Sequence, residues 1–327
     1  INMKQMDKDI DVVIAWVDGN DPVHRASRLA YTENKLDNVR DDVAGETRYR
    51  QVGEINYCIA SINKFAPWVR SIHIITDNQN PHVETFLEKI FPEGFIPVHI
   101  VDHKEVFRGY EKYLPTFNSR AIEAVAWRIK GLSEHYLYFN DDFLLTRPVQ
   151  PEEFFDGDTS ILQGYKVNTF VAKALRALRP RKNGHSKVSF RDSMLNAAEY
   201  LQAPSFIRVV HAPHPLRKSV WEKIYTEYPE MIERNVRHRF RHKEQFNTQS
   251  LYYIYALRNG LARMSGIKDS YLYLEPSGKS LSKVQRRLRR FDSVKNAHCC
   301  CFNSLDKASP EVFEEVMKWI KNKLEII

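Results

Sequence analysis

His135-Tyr136-Leu137-Tyr138-Phe139-Asn140-Asp141-Asp142-Phe143-Leu144-Leu145 is an apolar run of strand length that breaks into Asn-Asp-Asp and then resumes. A carboxylate loses its hydration on burial. A strand that carries two of them to its end therefore delivers them to a metal or a substrate, or uses one to cap the turn that follows. In an open α/β sheet the carboxyl ends of the strands are also where ligands bind. The rest of the chain has to decide between a binding site and an Asp-rich turn.

Working outward, three more continuous apolar runs have strand length: Val12-Val13-Ile14-Ala15-Trp16-Val17, Ile72-His73-Ile74-Ile75 and Val98-His99-Ile100-Val101. Between the first two, Ile55, Ile59, Ile62 and Phe65 fall at helical spacing and Pro67 closes the helix. Asn118 to Ile129 reads as another helix before the Tyr136 strand. Strands alternating with helices predict an α/β fold with a Rossmann-like, mainly parallel sheet, followed by a basic, helix-rich C-terminal half. Polar clusters follow three of the strands: Asp18-Gly19-Asn20-Asp21-Pro22, Thr76-Asp77-Asn78-Gln79 and Asn140-Asp141-Asp142. Each alone could be a turn, but in a parallel sheet the three converge on one edge, as a nucleotide or metal site requires.

The 327 residues, 43% of them hydrophobic, are enough for one large α/β domain or two lobes. No apolar segment approaches the roughly 20 residues of a membrane span, and the segment from Ile1 to Asp11 is polar without a signal-peptide pattern. The expectation is action in solution or at a membrane surface. Cys58 sits in a helical pattern and Cys299-Cys300-Cys301 are consecutive, which suits neither a disulfide framework nor zinc spacing. These thiols are expected to be reduced and buried, in a reducing compartment.

Charge divides the chain. Residues 1–158 carry 18 Lys/Arg against 26 Asp/Glu, a net of −8, whereas residues 159–327 carry 31 against 15, a net of +16. Three stretches of the second half have no acid: Thr159 to Arg191 with eight Lys/Arg, Arg234 to Lys243 with five, and Pro276 to Phe291 with six. Solvated surfaces mix signs, so acid-free runs imply an anionic partner such as phosphate, nucleic acid or lipid headgroups.

The same half opens on a strand, Ile207 to Val210, that runs into His211-Ala212-Pro213-His214-Pro215, where two prolines restrict both imidazoles. Such a pair can supply a general base, a nucleophile at phosphorus, a donor to a leaving phosphate or metal ligands. In His238-Arg239-Phe240-Arg241-His242 two guanidinium groups can fork onto phosphate oxygens, or pair with Glu244 or Glu233. Phe246 to Leu257 is an aromatic-rich helix suited to the core or, as the alternative, to a sugar platform, and Glu311 to Leu324 a closing helix. Leu281 to Phe291 reads as a basic amphipathic helix able to rest on polyanion or an anionic membrane.

Taken in order, these motifs resemble the Stealth proteins, sugar-1-phosphate transferases that include bacterial capsule polymerases and the lysosomal-targeting GlcNAc-1-phosphotransferase. Ile10 to Pro22 looks like the family's first conserved region. Glu46 to Asp142 looks like the second, through Arg48-Tyr49, Phe65-Ala66-Pro67-Trp68-Val69-Arg70, Leu114-Pro115-Thr116-Phe117-Asn118-Ser119 and Tyr138 to Asp142. His211 to Pro215 through His238 to Arg241 is similar to the third. Thr47 stands where the family tends to have Leu, Asn78 replaces a usual Gly, and the fourth region is only faintly similar at Cys301-Phe302-Asn303-Ser304.

The resemblance implies transfer of hexose-1-phosphate from a UDP-linked hexose or N-acetylhexosamine onto an oligosaccharide or polysaccharide hydroxyl. UMP is released and phosphodiester linkages of a capsular polysaccharide are formed, with no nucleic-acid partner. Residues 1–158 would then be the nucleotide-sugar lobe and residues 159–327 the basic phosphate- and acceptor-binding half of the same catalytic domain. Asp141 and Asp142 would hold Mg²⁺ or Mn²⁺, and Asp142 or His211 would take the acceptor proton. Arg48, His211 and Arg239 would stabilise the transferred phosphate or the leaving group. Trp16, Val17, Asp18, Gly19, Asn78, Gln79, Asn118, Ser119, Asn140, His214 and Arg241 would line the substrates. A metal-dependent glycosyltransferase releasing UDP, and a polyanion-binding module without catalysis, are the competing readings. The expected location is the cytoplasm, peripheral to the inner membrane or a capsule assembly complex.

Overall fold

The computed structural model describes residues 9–33, 53–178, 189–266 and 270–326. Strand β1 (Ile10–Ala15) leads to helix α1 (Pro22–Glu33). Helix α2 (Glu54–Phe65), strand β2 (Ile72–Thr76), helix α3 (Val83–Ile90) and strand β3 (Val98–Asp102) follow. A single turn, α4 (His103–Val106), and helix α5 (Ser119–Val125) precede β4 (His135–Asn140), and the Asp141-Asp142 turn opens β5 (Phe143–Leu145). Strands β4, β1, β2 and β3 lie side by side and parallel, with Ala15 opposite Asn140 and Thr76 opposite Asp102. The runs of β1, β2 and β4 thus behave as strands buried on both faces, as inside a parallel sheet, whereas β3 is the edge strand and leaves His99 and Ile100 exposed.

The second half does not form a separate layer. It begins in a hairpin between β6 (Phe155–Asp156) and β7 (Thr159–Leu162), so residues 158 and 159 lie in and beside its turn. Next come β8 (Gly164–Asn168), α6 (Thr169–Ala177), α7 (Phe190–Tyr200) and β9 (Ser205–Val209). Strand β10 (His214–Arg217) then joins the central sheet, antiparallel to β4, with His214 opposite Tyr138. Helices α8 (Lys218–Glu227), α9 (Glu230–Val236) and α10 (Thr248–Arg258) are followed by β11 (Ala262–Met264) and β12 (Tyr271–Leu274). Helix α11 (Leu281–Asp292), strand β13 (Cys299–Phe302) and helix α12 (Pro310–Leu324) complete the described chain.

Period-two alternation assigns the sheet's two faces. Val12, Ile14, Leu137 and Phe139 join a cluster with α2, α11 and α12, whereas Val13, Tyr136 and Tyr138 join one with α5, α7, α8 and α10. Phe246, Tyr252, Tyr253 and Tyr255 are buried in the second cluster, so the aromatic helix is core. Beneath the sheet, the fully buried Asp11 carboxylate accepts from Arg70 Nε (2.8 Å), Ser71 Oγ (2.9 Å) and the Ser133 amide (2.8 Å), with His73 Nε2 at 3.3 Å. This network ties β1 to β2 and to the loop before β4.

One sequence expectation changes here and another holds. The apolar stripe of α11 (Val284, Leu288, Phe291) is buried in the first cluster with Val316 and Ile320 of α12, so that helix has no free apolar face to lay on a membrane. The cysteine triplet is the strand β13, pairing with β12 on one side and β5 on the other. Its thiols and that of Cys58 are free and buried, as expected.

Candidate active site

The carboxyl ends of β1, β2 and β4 meet on one edge of the sheet, and the antiparallel β10 begins at that same edge. At the first junction the Asp18 amide donates to Gln79 Oε1 (2.8 Å) and Gln79 Nε2 returns to the Asp18 carbonyl (3.1 Å). The Asp18 carboxylate accepts from the Asn20 amide (2.8 Å), a local turn that exposes Asn20 and buries Gly19. Asn78 adopts φ 51° and its amide donates to Asp102 (3.1 Å), which explains why the chain tolerates Asn where glycine is common. Trp16 is 8% exposed, and its indole nitrogen is buried without an acceptor. Val17 is half-buried beside it.

Asn140, Asp141 and Asp142 stand at the middle of this edge, all half-buried. One Asp142 oxygen accepts from the Cys301 thiol (3.2 Å), and the other is buried with no partner. Burial and then the neighbouring Asp141 charge push the Asp142 carboxyl up to about 7. An orphaned carboxylate oxygen costs about 1–3 kcal/mol, a strain that folds retain for a ligand. The donor set, two adjacent carboxylates with one oxygen unspent, fits a hard divalent cation. Under them lies a recess walled by Glu54, Cys58, Phe302 and Met317.

His211 is held between two rings: Phe190 at 5.5 Å and Tyr273 at 4.4 Å, both stacked. Burial, with Arg208 adding to it, lowers this imidazole to about 4, so it is neutral at physiological pH. Tyr273 connects the two halves of the site. Its hydroxyl is pushed up to about 12 by burial, then by Cys301, Glu275 and Asp142, against a hydrogen bond with Asn303 that lowers it. His214 lies inside instead. It is 6% exposed, its Nδ1 stands 2.9 Å from the Tyr253 hydroxyl, and burial drives it down to about 3. It supports the sheet edge and does not face a substrate.

The predicted phosphate-gripping loop is also anchored internally. The Asn118 side chain caps α5 by accepting from the Arg120 amide, and its Nδ2 lies within hydrogen-bond distance of the carbonyls of His238 (2.8 Å) and Phe240 (2.9 Å) and of Gln245 Oε1 (3.0 Å). Asn118 therefore clamps the loop, with its side-chain amide hydrogens spent on it. Arg239 donates to the carbonyls of Lys112 and Leu114 and lies 4.8 Å from the Tyr31 ring, while Arg241 reaches Ser119 Oγ (2.9 Å). Glu244 pairs with Arg237 (2.7 Å) rather than with either of these. Arg48 falls outside the described residues.

Comparison with known proteins matches this edge region by region. Residues 8–36, 48–162 and 210–258 fit the models of Stealth protein conserved regions 1, 2 and 3. The capsular polysaccharide phosphotransferase fcs1 of Haemophilus influenzae is 30% identical over 312 residues, covering 94% of this chain and 81% of that protein. The chain belongs to the Stealth family. The exopolysaccharide phosphotransferase SCO6023 of Streptomyces coelicolor is 36% identical over 304 residues, 90% of this chain, and this Stealth chain spans about half the length of that relative, 47%. Among solved structures, galactosyltransferase LgtC with donor and acceptor sugar analogs aligns over 95% of each chain at a TM-score of 0.45 and 13% identity.

The Stealth regions converge as the sequence suggested. Region 1 supplies Trp16 to Gly19, region 2 supplies Gln79 and Asp141-Asp142, and region 3 supplies His211, while its arginine loop is anchored on Lys112, Leu114 and Ser119. Tyr273, Phe190 and Cys301 lie outside all three; sequence reading missed Tyr273 and Phe190 and met Cys301 only in the faint fourth region. The alternation Tyr271-Leu272-Tyr273-Leu274 is a period-two strand signal that could have found β12. That it faces His211 depends on β12 pairing with β13, and no local pattern encodes that.

Proposed function

We propose that this chain transfers hexose-1-phosphate from a UDP-sugar to a saccharide hydroxyl, releasing UMP and building phosphodiester links in a capsular or exopolysaccharide. The observation that carries the reading is the unspent, cation-seeking Asp142 oxygen on the same edge as a neutral, ring-clamped His211. The family membership and the names of the relatives support it.

Asp141 and Asp142 are the residues that would hold Mg²⁺ or Mn²⁺, which when bound would neutralise diphosphate charge. The acceptor oxygen attacks the β-phosphorus, and the bond from that phosphorus to the α–β bridging oxygen breaks, its electron pair leaving with UMP. The acceptor proton passes to the neutral His211 imidazole. An arriving diphosphate raises the basicity of that ring by placing negative charge beside it. Phe190 and Tyr273 restrict the ring's orientation. Trp16 offers its unpaired N–H to the nucleotide, and the Asp18–Gln79 pair fixes the floor on which it sits. Arg239 and Arg241, pinned by backbone and Ser119, keep positive charge near the edge without the entropy cost of long free side chains.

Incubation with a panel of UDP-sugars and an oligosaccharide primer should give UMP and a product heavier by one phosphosugar. Release of UDP would assign ordinary glycosyl transfer instead. Among the described residues no helix is long and apolar enough to cross a membrane. The proposed location is cytoplasmic and peripheral to the inner membrane.

A further inference from the structure

Helix α6 is built inside out. Its inward side is Thr169 and Ala172, both buried, and it is tied to α7 by Arg176 and Lys173 on Glu199 (2.8 and 3.3 Å). The opposite side carries Phe170, 79% exposed, Val171 and Leu175, each just over half exposed, and at its end Leu178, 81% exposed. A soluble helix puts such residues inward; here four share the outward side of a 3.6-residue repeat. The clustering is not chance: of the ten large apolar side chains exposed among the described residues, six lie between Tyr165 and Phe190.

The stretch from Thr159 to Arg191, to which the helix belongs, holds eight Lys/Arg and no acid. Lys166 and Arg191 within it are exposed. Lys173 and Arg176 are held by Glu199, so on the described surface it is Lys166 and Arg191 that accompany the apolar ridge, and together they select its occupant. A phosphate polymer satisfies the cations and gives Phe170 and Leu178 nothing to bury in. A second copy of the chain would face one basic stretch with another. A bilayer with anionic headgroups answers both features at once, apolar contact below and negative charge around it.

We infer that the outward face of α6, centred on Phe170 and Leu178, is the surface that seats this chain on an anionic lipid bilayer. This deepens the peripheral-membrane reading above by giving it an address, and it is independent of the phosphotransfer chemistry. Phe190, itself 40% exposed, stacks on His211, so the lipid-facing region and the reaction edge share a side chain. A seated enzyme would therefore work close to the membrane plane.

Cosedimentation with phosphatidylcholine vesicles, with and without phosphatidylglycerol, tests the assignment. The chain is expected to pellet with the anionic vesicles only, and the Phe170→Glu/Leu178→Glu double variant to lose at least tenfold in binding. Phe170→Trp should shift its emission to the blue on the same vesicles. Turnover with a soluble primer should be unchanged in the double variant, which separates this proposal from the phosphotransfer reading. Equal vesicle binding by the double variant overturns the surface while leaving peripheral association standing, and no binding by the parent chain overturns both. A lipid-free dimer that the double variant abolishes, or a turnover that falls with its binding, also overturns the assignment.

Discussion

At the residue scale the proposed chemistry turns on two side chains in opposite electrostatic states. Asp142 is destabilised where it stands, and His211 is neutral where it stands. Asp142→Asn should lower UMP release by about 10²–10³-fold, as expected for loss of a preorganised electrostatic contact. Its melting temperature should hold or rise, because the orphaned carboxylate is gone. His211→Ala should cost about 10²–10⁴-fold in kcat, the range for a general base, with the fold intact by circular dichroism. Near-normal turnover in either variant removes that residue from the reaction. The carboxylates were legible in the sequence because two Asp ending an apolar strand need an explanation. Tyr273 was not, since nothing in Tyr271-Leu272-Tyr273-Leu274 says which ring it will meet. His214 and Asn118 looked like ligand contacts because motif spacing cannot tell a side chain that faces a cleft from one that braces it.

At the element scale, a buried polar network reinforces the backbone ladders that hold the strands in register. The Asp11 carboxyl would be raised by its burial, but His73, Arg70, the Ser133 amide and Ser71 outweigh this and hold it well below the usual range. A depressed folded pKa means stability that is present above the unfolded pKa of about 4 and is lost as pH falls through and below it. Asp11→Asn should therefore cost about 3 kcal/mol near neutrality and flatten the acid limb of the stability curve, measured by denaturant titration across pH. Asn118→Ala removes a helix cap and the clamp on the His238–Phe240 backbone together. It should cost about 2 kcal/mol and raise KM more than it lowers kcat, since the arginine loop loses its seat. Strands β1, β2 and β4 were readable from continuous apolar runs flanked by turn formers. Strands β10 and β13 were not: one opens on His-Pro, and the other is three cysteines, compatible with several structures.

At the scale of the whole molecule the charge-divided halves are interleaved. Strand β10 enters the sheet of the first half, and β13 pairs with β5 immediately beyond Asp142. A chelator should abolish UMP release, and added Mg²⁺ or Mn²⁺ should restore it; turnover that survives exhaustive chelation would remove the cation from Asp141 and Asp142. The composition of each half was plain in the sequence, but their interleaving was not, because pairing across the chain leaves no local trace. The Cys301 contact has a consequence in time. Asp142 leaves the ribosome 159 residues before its thiol partner, a lag of roughly 10–30 s at ordinary rates of synthesis. Throughout that interval the nascent chain displays its carboxylates without the wall that fixes them. On the proposed reading, the cation site is complete only once β13 has docked against β5 and brought Cys301 to Asp142.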